Sequence, residues 1–202
     1  MSDRIKSEIC EVMREAYKRN WITTRDGNCA VKDKDSGLIY ITASGVDKGK
    51  ITEKDILIYV MRTNLFVSHD NRKPSGEWIM HHKILEKVES DCATLHLHPP
   101  NIVAAMFAGW ELSELSSNFP EVYRFTKVGH NVASWPAVSL ELANHTYKNF
   151  NFEDNKPSID IVGQKNHGST SFGKDLITAF EHVERLEHIC QVAMLSGVPP
   201  NK

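Results

Sequence analysis

Residues 73–100 read KPSGEWIMHHKILEKVESDCATLHLHPP, and this stretch contains both kinds of regular structure in succession. After the turn KPSG, apolar residues over 77–88 recur with helical spacing, and Ser75 is a candidate N-cap. Residues 92–98 then form a seven-residue strand candidate, which Pro99 and Pro100 end. A helix beside an apolar strand predicts helices packed on a sheet.

The rest of the chain repeats this mixture of elements. Helical spacing predicts further helices over residues 3–20, 101–108, 139–150 and 175–195. Short runs of strand-forming residues predict strands over 29–31, 38–42, 56–61 and 159–162. Residues 111–136 are ambiguous between the two patterns. We therefore expect an α/β fold in one layered domain over residues 1–202.

Composition excludes several classes of partner. The chain has 202 residues, 24 Lys and Arg against 26 Asp and Glu, and no clustered basic stripe, so neither nucleic acid nor a membrane surface is expected. No window approaches the ~18 apolar residues of a membrane span, and the first ten residues lack the apolar core of a signal peptide. Four cysteines without a CxxC pair indicate a reducing compartment, hence a cytoplasmic protein.

His96-Leu97-His98 is the strongest local signal for chemistry. Residues two apart in a strand share one face, so both imidazoles can reach one metal ion. The alternative is a polar pair on an exposed edge strand. The flanking apolar residues favour a buried strand, in which two histidines need partners. A catalytic zinc normally has three protein ligands, so we expect a third ligand from elsewhere.

Two further residues are candidates for the same site. His167 follows the predicted strand 159–162 and precedes the last helix, so we place it at a strand-to-helix connection, where Gly168 allows close backbone approach. Alone, it is more typical of a capping or surface histidine than of a metal ligand. Glu77 opens a predicted helix, where it either complements the helix dipole or, beside a metal, coordinates it or accepts a proton. For His81, one helical turn later, a structural role is favoured over support of the site.

Three turns made of small residues and amides are suited to binding phosphate through backbone N–H groups. Each by itself is only a turn. Their residues are Gly27 with Asn28, Ser44 with Gly45, and Ser75 with Gly76.

Four segments give the chain a family resemblance. They are GNCAVKDKDSGLIYITASGVDKGKITEKDI, KPSGEWIMHHKI, TLHLHPP and NHGSTSFGKDLITAFEHVERLE. In this order and spacing they resemble the class II aldolase/adducin family, especially the L-fuculose-1-phosphate aldolases. The resemblance covers roughly residues 5–195 and is weakest over 110–158. It implies a three-layer αβα domain with a central, mainly antiparallel sheet, one zinc ion per subunit, and a homotetramer with active sites at subunit interfaces.

The resemblance also implies roles for individual residues. His96, His98 and His167 match the family's zinc ligands, and Glu77 matches the acid that ligates zinc at rest and then acts as acid/base. The three turns match those that hold the substrate phosphate. The implied reaction is the reversible cleavage of a ketose 1-phosphate to dihydroxyacetone phosphate and an aldehyde, in which zinc stabilises the negative charge that develops.

The chain also departs from the family pattern. Gly76 replaces a second serine, which keeps an amide donor and removes a hydroxyl. The aldolases use one tyrosine of the middle segment and another of a C-terminal tail as proton donors. Here Tyr123 lies one residue from the matching position, which Arg124 occupies, and residues 197–202 contain no tyrosine. We therefore expect either Tyr123 or a different group as the second proton donor.

Other reactions on related chemistry stay open. They are epimerisation of a pentulose phosphate, dehydration of methylthioribulose 1-phosphate and decarboxylation of a phosphorylated oxo acid. Glu77 in PSGEW favours the aldolases over the epimerases and dehydratases. A non-catalytic, adducin-like interaction module is the alternative outside enzymes, and the complete set of three histidines and one acid argues against it.

Overall fold

A seven-stranded sheet forms the centre of the computed structural model, which describes residues 2–67 and 70–200. The sheet order is β4-β3-β2-β1-β5-β9-β8, and each neighbouring pair is antiparallel. A separate small hairpin is formed by β6 and β7. The strands are β1 (Asn28–Asp33), β2 (Leu38–Thr42), β3 (Ile56–Val60), β4 (Leu65–Val67), β5 (Cys92–Leu97), β6 (Phe152–Glu153), β7 (Lys156–Pro157), β8 (Ile161–Gln164) and β9 (Gly168–Gly173).

Helices cover both faces of the sheet. On one face of the sheet α1, α3 and α7 share a hydrophobic core with β1 and β5. Helices α2 and α6 pack against the opposite face of the sheet. The predicted three-layer α/β fold with an antiparallel sheet is therefore confirmed. The helices are α1 (Ser2–Lys18), α2 (Trp78–Lys87), α3 (Pro100–Phe107), α4 (Leu112–Ser117), α5 (Pro120–Phe125), α6 (Leu140–Asn149) and α7 (Leu176–Ser196).

Strand β5 lies between β1 and β9, and all six of its residues are buried. Leu95 and Leu97 belong to the core beneath α1 and α7. Because side chains alternate along a strand, Thr94 and His96 face the opposite layer, which contains α2. The polar face of β5 is thus directed at the start of α2, where Glu77 lies.

The structure corrects the local predictions in four places. His167 lies in the tight turn between β8 and β9, not at a strand-to-helix connection. The missed strand β9 reads GSTSFG, whose small polar residues give no hydrophobic period. Residues 111–136 contain the two short helices α4 and α5, and the N-cap of α2 is Glu77 instead of Ser75.

Within residues 2–67 and 70–200, no helix is long and apolar enough to cross a membrane.

Candidate metal centre and active site

Three structural elements meet at one end of the sheet. Strand β5 carries His96 and is followed directly by His98, the β8–β9 turn carries His167, and the N-cap position of α2 carries Glu77. One ligand nitrogen from each histidine lies within 4.8 Å of the others. The fold thus brings together residues that are up to 90 positions apart in the chain.

The four side chains are in direct contact. The Nε2 atoms of His96 and His98 are 2.9 Å apart. The Glu77 carboxylate spans the other side of the cluster, with Oε1 3.1 Å from His167 Nε2 and Oε2 3.3 Å from His96 Nε2. All three histidines therefore present Nε2 to one small volume that the carboxylate also borders.

The close approach of His167 depends on Gly168. A Cβ atom at this position would lie 2.4 Å from the backbone oxygen of Leu97 and 2.6 Å from Cδ2 of His98. Real Cβ atoms do not approach that closely, so only glycine fits here. The predicted role of Gly168 in backbone approach is confirmed, although it acts within a hairpin.

Burial and charge set the protonation of the cluster. Burial lowers the pKa of His96 and, less strongly, that of His98, so both imidazoles are neutral at pH 7. Burial alone would raise the pKa of Glu77, but interactions with His96, His167 and Asn28 outweigh it and hold that pKa well below its usual range. Neutral imidazole and ionised carboxylate are the forms that bind divalent cations, so the donor set fits such an ion.

Residues around the cluster hold its members in place. His96 Nδ1 lies 3.1 Å from Oγ1 of Thr170 on β9, which leaves Nε2 directed at the cluster. Asn28 Nδ2 donates to Glu77 Oε2 at 2.7 Å. Such partners fix the tautomer and orientation of metal-binding side chains. Sequence reasoning missed Thr170, because its strand carries no recognisable period and its pairing with His96 is a long-range feature.

Comparison with known proteins agrees with this arrangement. A family model described as "Class II Aldolase and Adducin N-terminal domain" matches residues 7–194. The chain belongs to the class II aldolase and adducin family. This confirms the predicted family and, with it, a metal-dependent enzyme of the class II aldolase superfamily.

Individual members of the family resemble the chain over nearly its whole length. The L-fuculose phosphate aldolase of Methanococcus maripaludis is 30% identical over 186 residues, covering 92% of this chain and 94% of that protein. The methylthioribulose-1-phosphate dehydratase of a Geobacillus species is 29% identical over 195 residues, covering 90% and 86%. Relatives with such different reactions are similarly distant from the chain.

Solved structures share its fold. An L-fuculose 1-phosphate aldolase gives a TM-score of 0.78 at 24% identity and covers 98% of this chain and 90% of its own. A sugar-phosphate aldolase from Thermotoga maritima gives 0.76 at 21% identity, covering 98% and 97%. At these identities the likeness concerns the fold.

The predicted phosphate turns of this class II aldolase family member lie partly side by side. Ser44 N–H donates to Lys73 O and Ser75 N–H to Thr42 O, which joins the second turn to the third. Within the described chain, the N–H groups of Gly45 and Gly76 donate to no protein atom. Those two amides are the free donors of the pair of turns. Gly27 is buried beside the histidine cluster: a Cβ there would be 3.3 Å from His96 O, and the side chain of the next residue, Asn28, contacts Glu77.

Gly76 stands where the family pattern has a serine, and its surroundings explain the difference. A Cβ at Gly76 would lie 2.8 Å from Cγ1 and 3.2 Å from Cγ2 of Val138. The Val138 side chain therefore fills the space that a serine side chain needs. Gly76 itself stays exposed beside Glu77.

Tyr123 is not brought to the cluster within one chain. It lies on α5 with 72% of its surface exposed. No contact among the described residues joins Tyr123 or Arg124 to the histidines; the guanidinium of Arg124 lies over the ring of Phe125. A role for Tyr123 in proton transfer stays a prediction.

Proposed function

We propose that this protein is a zinc-dependent sugar-phosphate aldolase that cleaves a ketose 1-phosphate, such as L-fuculose 1-phosphate, reversibly between C3 and C4. The products are dihydroxyacetone phosphate and an aldehyde. One observation carries the proposal: an ionised, nearly buried Glu77 lies 3.1 Å from His167 and 3.3 Å from His96 within a cluster of three histidines. A carboxylate placed there is suited to moving a proton beside a cation.

His96, His98 and His167 would hold the ion through Nε2, with Glu77 as an additional ligand before substrate binds. When bound, the cation acts as a Lewis acid that stabilises negative charge on substrate oxygens. A set of three histidines and one carboxylate also accepts other divalent metals. The donor types favour zinc, because histidine nitrogen and carboxylate oxygen are common zinc ligands in proteins.

Glu77 would deliver a proton to C3 after the C3–C4 bond breaks and would remove it in the direction of synthesis. A second group must take the proton of the C4 hydroxyl as the aldehyde forms. Tyr123 is our candidate for that group. Since it is exposed on α5, it would act on the site of a neighbouring copy, in a homotetramer with active sites at subunit interfaces.

The phosphate would bind at the second and third turns, far from the bond that breaks. The free N–H groups of Gly45 and Gly76 are donors for its oxygens, and Ser44 and Ser75 add hydroxyls. Asn28 and Gly27 lie on the side of the site formed by β1. Anchoring the phosphate orients the reacting carbons beside Glu77.

Two proposals concern the chain as a whole. We propose that residues 1–202 form one domain, because a single sheet with helices on both faces connects its elements. We also propose a cytoplasmic location. The four cysteines are free and buried, as is typical of proteins in a reducing compartment.

A dehydratase is the second candidate, because dehydratases of methylthioribulose 1-phosphate are nearly as similar to the chain as the aldolases are. Both reactions remove a proton from, or return one to, carbon next to a carbonyl. The presence of Glu77 within the segment PSGEW supports the aldolase, since this segment resembles that of the aldolases. Epimerisation and decarboxylation are further outcomes that a substrate screen separates.

The test combines metal analysis with a substrate screen. Protein purified without chelator should carry about one divalent ion per chain. It should release dihydroxyacetone phosphate from a ketose 1-phosphate, and Glu77→Gln should lower kcat about 10²- to 10⁴-fold while metal is retained. His98→Ala should lose metal and activity together.

Two matched variants serve as controls. Glu86→Gln changes a 63% exposed acid of the same helix, and His130→Ala removes an 80% exposed histidine, so both should behave as wild type. Absence of a stoichiometric metal would contradict the metal-centre proposal. If the protein carries a metal but turns over only methylthioribulose 1-phosphate, the proposed activity changes from aldolase to dehydratase.

A further inference from the structure

A buried row of hydrogen bonds leads from β5 to the carboxylate of Glu77. His81, on α2, has no exposed surface, and its Nδ1 lies 2.6 Å from Oγ1 of Thr94. Its Nε2 contacts Oδ1 of Asn28 on β1. Asn28 Nδ2 in turn donates to Oε2 of Glu77 at 2.7 Å. The row crosses from the sheet to the helix and back before it reaches the site.

The chemistry of the four groups assigns each proton. An ionised carboxylate only accepts hydrogen bonds, so the amide of Asn28 must present its NH₂ to Glu77. Its Oδ1 then faces His81 and requires a donor. Burial lowers the pKa of His81 to about 4, so the ring is neutral and carries one N–H. That proton must lie on Nε2, which leaves Nδ1 to accept from the hydroxyl of Thr94.

We infer that His81 is a positioning residue that acts through Asn28 to hold the Glu77 carboxylate toward the three histidines. The inference rests on the proposed function for what Glu77 does to substrate. The arrangement of the row itself stands on the geometry alone.

The alternative orientation of Asn28 shows what His81 contributes. An amide can rotate by half a turn with little change in shape. Rotated, Asn28 would direct Oδ1 at the carboxylate, and two acceptors would face each other at hydrogen-bond distance. The Nε2–H group of His81 holds the productive orientation, because a buried Oδ1 without a donor is costly.

The row also changes the role expected for Asn28. Sequence reasoning placed it among the phosphate-binding residues, whereas its side chain is 7% exposed and engaged at both ends. Asn28 opposes His96 across the β1–β5 pair, so the strand register delivers its amide to the cluster. The Asn28 side chain therefore holds Glu77 through a hydrogen bond and is not a free donor for phosphate.

The first test does not depend on the reaction. Long-range ¹H–¹⁵N NMR of the full-length protein, with His81→Gln used to assign the signal, reports which ring nitrogen carries the proton. The expected result is a neutral ring with Nε2–H and bare Nδ1 at pH 7. A proton on Nδ1, or a charged ring, would overturn the inference.

The second test separates positioning from structural support. His81→Leu removes both hydrogen bonds and should lower kcat about 10- to 100-fold with KM nearly unchanged. His81→Gln keeps a donor and an acceptor and should recover most of kcat. Equal losses in the two variants would overturn the inference.

A double-mutant cycle with Asn28→Ala completes this test. If His81 acts only through Asn28, then His81→Gln and His81→Leu should have no further effect on kcat once Asn28 is alanine. Additive losses would show a merely structural role. Should His81→Leu fail to fold, Thr94→Val replaces it in the cycle with Asn28→Ala, because it removes the hydroxyl that contacts Nδ1 of His81.

The two failures are distinguishable. If the expected tautomer is found but no ketose 1-phosphate is cleaved, the proposed function fails and the row stands. If ketose 1-phosphate is cleaved by a protein with the opposite tautomer, only the role of His81 fails.

Discussion

Strand β5 and the β8–β9 hairpin both supply histidines to the candidate metal centre, but their sequences reveal it very differently. His96 in β5 and His98 just after it lie two apart in an apolar segment that prolines end, and the strand was predicted from this pattern. In the hairpin, only β8 shows an apolar run, and β9 reads GSTSFG. His167 was therefore placed at the wrong kind of connection.

The difference has a physical origin. The position of a ligand on β5 follows from local periodicity, which a sequence displays directly. The position of His167 depends on how β9 pairs with β5 and on clearance at Gly168, and both are long-range properties. The hairpin also supplies Thr170, which contacts the ring of His96. Strand β5 and the residue after it provide two candidate ligands. The hairpin provides the third, together with the Thr170 contact to His96 and the clearance at Gly168.

The largest expected effect comes from removing a ligand from each region. His96→Ala should weaken metal binding more than 100-fold, beyond the range of about 10- to 100-fold for residues that only support ligands. His167→Ala should cost less, because its side chain is 19% exposed and water can reach the vacated position.

Titration of each chelator-treated variant with Zn²⁺, followed by competition with a chromophoric chelator, measures both affinities. His130→Ala, at an 80% exposed site, is the control. Equal losses in the two ligand variants would show that the turn holds its histidine as firmly as the central strand does.

Gly168→Ala tests the space that the hairpin provides. The added Cβ would meet Leu97 O at 2.4 Å, so backbone must move, and we expect a loss of about 2–3 kcal/mol in the free energy of unfolding. Urea denaturation measures it. Ser169→Ala, at the next residue of β9, removes a buried hydroxyl with no partner in the described chain and should change stability little. If Gly168→Ala leaves the free energy of unfolding unchanged, the hairpin and β5 are not packed so closely that only glycine fits at this position.

Thr170→Val tests the contact between Thr170 of the hairpin and the ring of His96 on β5. The change removes the oxygen that lies 3.1 Å from His96 Nδ1 and keeps the side-chain shape. Metal affinity should fall about 10- to 100-fold. Thr42→Val is the matched control, because the buried Thr42 hydroxyl contacts no described hydrogen-bonding group. If the two variants bind metal alike, His96 is held by β5 alone and the hairpin contributes only His167.

Much of the fold was accessible from sequence because most elements carry their own period. The helices α1, α2, α3, α6 and α7 and the strands β1, β2, β3, β5 and β8 were predicted to within a few residues. The failures share a cause. Strand β4 is three residues long and mostly exposed, and β9 is polar, so neither shows a pattern.

For the site, the pair His96 and His98 could be predicted because their chemistry and spacing are local. His167 and Glu77 were candidates for the same site from their places beside predicted elements, but only the family resemblance gave them definite roles, since they lie far away in sequence. The partners Thr94 and Thr170 could not be found. A buried threonine in a strand looks the same whether it fills space or holds a histidine, and only strand register separates the two.

Gly76→Ala has the smallest expected effect, and comparing it with Gly168→Ala shows whether both glycines are equally restrained. A Cβ at Gly76 would meet Cγ1 of Val138 at 2.8 Å, whereas at Gly168 it meets backbone. Val138 is 58% exposed and can shift, so Gly76→Ala should cost less than about 1 kcal/mol. In a Val138→Ala background the obstructing methyl groups are gone, and Gly76→Ala should become neutral. A Gly76→Ala cost as large as that of Gly168→Ala, measured by the same denaturation, would show that side-chain and backbone obstruction are equivalent here. The restraint at Gly168 would then not be specific to the place where the hairpin meets β5.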